Sequence, residues 1–224
     1  KRSCFLLEGK KAGKGNLIFI VKKGEDEIAR GSVKLELRTI KEFYEKYEVD
    51  LKGYGNEINE NYGQVVLPSY IPEKKDYLLY VHGWNMPEWE KDRWVQTVFK
   101  RMWRQGYKGH IGLFSWPTLT ANWTGIPGPW NYDNSEHRSW NSAIALKKLL
   151  ADLNSKHPGK VRVIAHSMGN VVTGEAARIS SGQVIHTYFA SQAALSANCY
   201  DNSSKINNPA FTSYTTPNIY GFYT

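Results

Sequence analysis

Cysteine is scarce in this chain. Cys4 and Cys199 are the only two in 224 residues, too few for a disulfide framework and without the paired spacing of a metal site. The redox compartment is therefore left open. No apolar run approaches the roughly 18 residues that a membrane-crossing helix needs. The first seven residues, Lys-Arg-Ser-Cys-Phe-Leu-Leu, start basic, but three apolar residues cannot form a signal-peptide core. The patterns of nucleic-acid readers (RNP, helix-turn-helix, zinc finger) are also missing, although the formal charge is +8. That charge is local. Residues 1–23 carry seven Lys or Arg against one Glu, which is +6 of the total, and the remainder is close to neutral. Such a stretch reads first as a solvated face, with a membrane surface, a polyanion or another domain as the alternatives. No metal, no cofactor and no nucleic-acid partner are expected. Localisation is left undetermined.

What is present is a globular composition, 41% hydrophobic and 22% charged, at a length suited to one domain plus a small appendage. Two regimes follow one another. In residues 1–72, the apolar run Asn16–Val21 and the alternating Val33, Leu35 and Leu37 flank the polar stretch Lys22–Glu27. This predicts an antiparallel strand pair with one wet face. Thr39 and Glu42 have capping-box spacing for a short helix carrying Ile40, Phe43, Tyr44 and Tyr47. Gly53 to Pro72 holds three Gly and two Pro and is taken as the boundary, so that residues 1–72 form a β-rich segment at the end of a preceding domain. From residue 73 to 224 strands and helices alternate, which implies a mostly parallel sheet with helices on both faces. The expected strands are Tyr77–Val81, Ile111–Trp116, Val161–Ala165 and Ile185–Ala190. The expected helices begin after Pro87, near Ser135, and at Met168.

Two of the strand ends carry chemistry. Val161–Ile164 runs into Ala165-His-Ser-Met-Gly-Asn170, an order of strand, sharp turn, Ser167 and helix. That is how a nucleophile elbow exposes its hydroxyl; the usual signature is G-x-S-x-G, and small residues stand at both flanking positions here, Ala165 and Gly169. The second strand end is Tyr77-Leu-Leu-Tyr-Val-His-Gly-Trp-Asn85, where Gly83 allows a ligand close to the backbone. An oxyanion hole needs two backbone N–H groups aimed at the developing charge. The loop after this strand and the residue after the nucleophile would supply them, as Trp84 and Met168. His82 more naturally shapes this loop than acts as a base.

Tyr80-Val-His-Gly-Trp-Asn85, Phe114-Ser-Trp-Pro117, Tyr132-Asp-Asn-Ser-Glu136 and Ala165–Asn170 together resemble the bacterial lipase/esterase-like α/β-hydrolases, largely of unknown function. The resemblance covers about residues 75 to 200. It implies an α/β-hydrolase fold, Ser167 as nucleophile, Trp84 and Met168 as oxyanion donors, and a carboxylic ester as substrate. His82, Gly83 and Trp116 are expected around that substrate.

The triad order of this fold is Ser, acid, His. After Ser167 only Glu175 and Asp201 are acidic, and His186 is the only histidine. Glu175 lies about 12 Å along the elbow helix, away from the site; Asp201 follows the next strand and is the candidate acid, and the resemblance places the acid after this strand or the following one. His186 begins a parallel strand, at the end of the sheet away from Ser167, and His166 is expected to point into packing. The expectation is thus a hydrolase domain incomplete at its C-terminus, with the catalytic His beyond Thr224. The aromatic stretch Leu113–Tyr132 could hold an acyl chain or pack against a lid. The alternative to a serine esterase is a non-catalytic binding module of the same fold in a larger bacterial surface protein.

Overall fold

The computed structural model describes residues 9–53, 56–120, 129–195 and Cys199. The chain divides into two compact units, Lys1–Glu42 and Phe43–Thr224.

The first unit contains a single antiparallel ribbon of β1 (Gly13–Lys23) and β2 (Asp26–Leu37). Its tip turns at Gly24, φ +66°, a backbone that favours glycine. Directly paired residues share a face. Leu17↔Val33, Gly15↔Leu35 and Val21↔Ala29 therefore make one face apolar, and Lys14↔Glu36, Asn16↔Lys34 and Ile20↔Arg30 make the other largely polar. The antiparallel strand pair is present, but both of its faces are largely exposed rather than one. The capping box also forms, since Glu42 accepts the Thr39 backbone N–H at 3.0 Å, but it closes only one 3-10 turn, Ile40–Glu42.

In the second unit Tyr47, expected on a helix, instead lies on β3 (Glu45–Glu48), which pairs in parallel with β6 (His110–Ser115). The β3 strand and its antiparallel partner β4 (Gly63–Val66) extend the main sheet. The boundary thus falls at 42/43 rather than at residue 72. Hydropathy concealed this strand because its charges are neutralised by pairing. Lys46, only 6% exposed, meets Glu48 at 2.7 Å, Glu88 at 3.0 Å and Asp92 at 3.3 Å. Glu45 accepts a hydrogen bond from the Tyr77 hydroxyl at 2.6 Å.

The six-stranded sheet has the order β4-β3-β6-β5-β7-β8, with β5 at Tyr77–Val81, β7 at Val161–His166 and β8 at Thr187–Ser191. All neighbours are parallel except β3 and β4. The chain steps from β5 outward to β6 through α1 (Glu88–Arg104), returns through α2 (Pro129–Lys156) to β7 on the other flank of β5, and continues through α3 (Gly169–Arg178) to β8. Right-handed crossovers in opposite directions put α1 on one face and α2 with α3 on the other. The β5 strand is covered on both sides, so all five of its residues are buried and its sequence reads as one apolar run rather than an alternation. Tyr77, Leu79 and Val81 join Ala143, Leu146, Leu150, Val163 and Val172 in one core.

The two units make contrasting demands on side-chain volume. Leu146→Ala, at a site with no exposure, is expected to cost about 2–5 kcal/mol through the cavity it leaves. Val33→Ala, at 53% exposure on the ribbon, should cost no more than about 0.5 kcal/mol. Denaturant titrations of the two variants check this, and equal losses would contradict it.

Candidate active site

The direction of the chain reverses at β5, and in an open parallel sheet ligands bind outside the carboxyl ends of the strands at such a point. Both sequence-selected segments end there. In parallel register Val81 pairs with Ala165, so the loop from His82 and the turn at Ser167 leave the sheet side by side.

Ser167 occupies that turn at φ +51°, a left-handed backbone that strains any residue with a Cβ. Asn85 (φ +57°), after β5, and Gln192 (φ +44°), after β8, are the other described non-glycine residues with positive φ. All three lie at the carboxyl ends of neighbouring strands, as strain gathered around a functional site does.

Two glycines allow the segments to meet. A Cβ on Gly83 would lie 3.0 Å from the Ser167 Cβ and 3.1 Å from the His166 carbonyl oxygen. A Cβ on Gly169 would lie 2.5 Å from the His82 carbonyl oxygen and 2.6 Å from that of Val81. The glycine two positions after the serine is therefore required by the backbone at the end of β5, which the elbow helix touches.

The loop from β5 is braced by His82, which is fully buried. Trp116 N–H donates to His82 Nε2 at 3.1 Å. The Nδ1 must then carry the proton, and it donates to the Gly83 carbonyl at 2.7 Å. The Trp116 indole lies parallel to the imidazole, with ring centres 5.2 Å apart, and its Nε1 donates to the His82 carbonyl at 2.8 Å. Asn85 N–H adds a bond to Thr118 Oγ1 at 3.2 Å. His82 and Trp116, expected beside a substrate, are both 0% exposed. The stacking that aligns the loop also removes both from solvent. Gly83, also buried, follows His82 against the turn at Ser167.

On the elbow side, Ser167 N–H donates to the Ser191 carbonyl at 3.0 Å and is not free for a ligand. The N–H groups of Trp84 and Met168 have no hydrogen-bond partner among the described residues. In a trans peptide the N–H points opposite the carbonyl. Since His82 holds the Gly83 carbonyl, the Trp84 N–H is turned away from His82.

None of the six histidines is hydrogen-bonded to the Ser167 hydroxyl. His166 stacks on Trp94 with ring centres 5.9 Å apart and contacts Gln192 Oε1 at 3.1 Å. His186 lies before β8, its N–H on the Val161 carbonyl at 2.8 Å, at the far end of the sheet. Asp201 and residues 121–128 of the aromatic stretch lie outside the described residues. Among the described residues no group of three or more His, Cys, Asp or Glu is arranged to hold a metal, and no helix is long and apolar enough to cross a membrane.

Two residues escaped the sequence reading. Lys91, 4% exposed, donates to Ser115 Oγ at 3.2 Å and to the Trp116 carbonyl at 3.3 Å, which fastens the end of β6 behind His82. Asn170 is fully buried in the first turn of α3. The only signal for either was a polar residue at a helix position that faces the core.

A mostly parallel sheet covered by helices on both faces, with a strained serine between strand and helix at its switch point, defines the α/β-hydrolase class. The chain belongs to the alpha/beta hydrolase family of unknown function (DUF900), whose model matches residues 64–184 and so spans both segments of the site. No curated protein matches the chain.

Burial, reinforced by the charge of Lys91, pushes the His82 imidazole well below its ordinary range. It is therefore neutral in the folded protein. The unfolded chain takes up a proton below about pH 6.5, so stability is full above that pH and falls as the pH drops below it. His157, lowered by burial, adds to the same fall. Melting temperatures measured from pH 8 to 5 are expected to fall on the acid side, with a shallower slope in His82→Gln. An identical slope in the variant would refute the neutral, buried His82.

Proposed function

We propose that this protein is a serine hydrolase acting on carboxylic esters, in the manner of lipases and esterases. Ser167 Oγ attacks the acyl carbon, and the carbonyl oxygen becomes an oxyanion held by the N–H groups of Trp84 and Met168. The alcohol leaves with the proton that a general base took from Ser167. Water then attacks the acyl-enzyme, releasing the acid and restoring the serine. The observation that carries this reading is the placement of Ser167: a positive-φ residue at a strand-to-helix turn, with the Gly83 backbone against its Cβ. Asp201 is the acid proposed to orient the general base.

A second reading has its own support. No histidine is hydrogen-bonded to Ser167, which is what a non-catalytic binding module of this fold would show.

A fluorophosphonate probe and short acyl esters separate the two. In the protein as its host makes it, labelling is expected at Ser167, and Ser167→Ala should abolish labelling and lower ester hydrolysis by about a thousandfold or more. Hydrolysis retained by Ser167→Ala would refute the nucleophile. Failure of the unsubstituted protein to label would favour the binding module.

A further inference from the structure

The Ser167–Met168 peptide is gripped by its carbonyl. Ser167 O accepts the backbone N–H of Asn170 at 3.0 Å, the backbone N–H of Ala194 at 3.1 Å, and the Asn170 side-chain Nδ2 at 2.9 Å. Helix geometry accounts for the first of these. It does not account for the third, since any side chain could follow Gly169. The Asn170 carboxamide has no solvent exposure, and burying it is costly unless its polar atoms are satisfied. They are satisfied by strand ends: Nδ2 also reaches the carbonyls of Ala165 at 3.1 Å and Ser191 at 3.3 Å. Three carbonyls can only accept, so the amino group faces them. The Oδ1 then faces the Tyr188 hydroxyl, which donates to it at 2.5 Å. Tyr188, on β8, thus prevents the amide from turning over.

We propose that Asn170, locked by Tyr188, is a positioning residue for the oxyanion hole: by pinning the Ser167 carbonyl it aims and strengthens the Met168 N–H. The two groups are opposite ends of one trans peptide, so fixing the carbonyl direction fixes the N–H direction. Donors on a carbonyl also polarise its peptide and make its N–H the stronger donor. The arrangement mirrors the other side of the site, where His82 grips the Gly83 carbonyl and leaves the Trp84 N–H free. This inference rests on the reading of Ser167 as the nucleophile.

The chain has three methionines, Met86, Met102 and Met168, so protein labelled with ¹⁵N-methionine gives three backbone amide signals. In Asn170→Ala the Met168 signal is expected to move while Met86 and Met102 keep theirs. Tyr188→Phe should move it in the same direction by less. With a short acyl ester, Asn170→Ala should lower kcat about tenfold, with KM changed less than about twofold. A stationary Met168 signal in the folded variant, or a raised KM at unchanged kcat, would overturn the proposal. If all three signals shift in Asn170→Ala because its fold is disturbed, Tyr188→Phe decides by the same signal. No hydrolysis by the unsubstituted protein would fell the serine-hydrolase reading, and the Met168 signal would still decide whether Asn170 holds this peptide.

Discussion

A Cβ at position 169 would sit 2.5 Å from the His82 carbonyl oxygen, well inside van der Waals contact, so the first turn of α3 can rest on the end of β5 only if that residue is glycine. The contact forces much of what surrounds it. It brings the loop after β5 against the turn after β7, and Gly83 must be small for the reciprocal reason. With the two backbones this close, Ser167 is left to make the turn at φ +51°, and the strain of about 1–3 kcal/mol that such a residue stores is borne by the bonds around it. Ser191, the last residue of β8, and Ala194, beyond it, bond Ser167 from either side, so three neighbouring strands share the load.

The electrostatics follow from the same geometry. Each of the two N–H groups without a partner among the described residues belongs to a peptide whose carbonyl is held from behind, by His82 at Gly83 and by Asn170 at Ser167. Fixed dipoles of this kind need no rearrangement when charge develops in front of them, which is the physical basis of oxyanion stabilisation. His82 can serve only while neutral, because a protonated imidazole could not accept the Trp116 N–H. Its burial beneath Trp116, with Lys91 nearby, keeps it so.

Much of this was legible in the sequence, for definite reasons. The strands β5 and β6 are apolar because both faces are covered, and the glycines and the serine at the strand ends are dictated by close approach, a local need that leaves a local signature. What pairing and stacking decide was not legible. Lys46 and Glu45 look like solvated charges, yet ion pairs and tyrosine hydroxyls carry them into a strand. The Thr39–Glu42 capping box forms as its spacing suggests, but the chain then joins β6 and no helix follows. Trp116 and His82 look like substrate contacts because they sit at strand ends, and only their mutual stacking shows that each hides the other. Asn170 carries no signal in its own residue type, since its partners come from β7 and β8, up to 21 positions away.

The most direct measurement is a crystal structure of the protein after reaction with a fluorophosphonate. The account predicts a covalent bond from Ser167 Oγ to phosphorus, with the phosphoryl oxygen about 2.7–3.1 Å from both the Trp84 and the Met168 backbone nitrogens. An adduct on another residue, or a phosphoryl oxygen turned away from these two N–H groups, would contradict it.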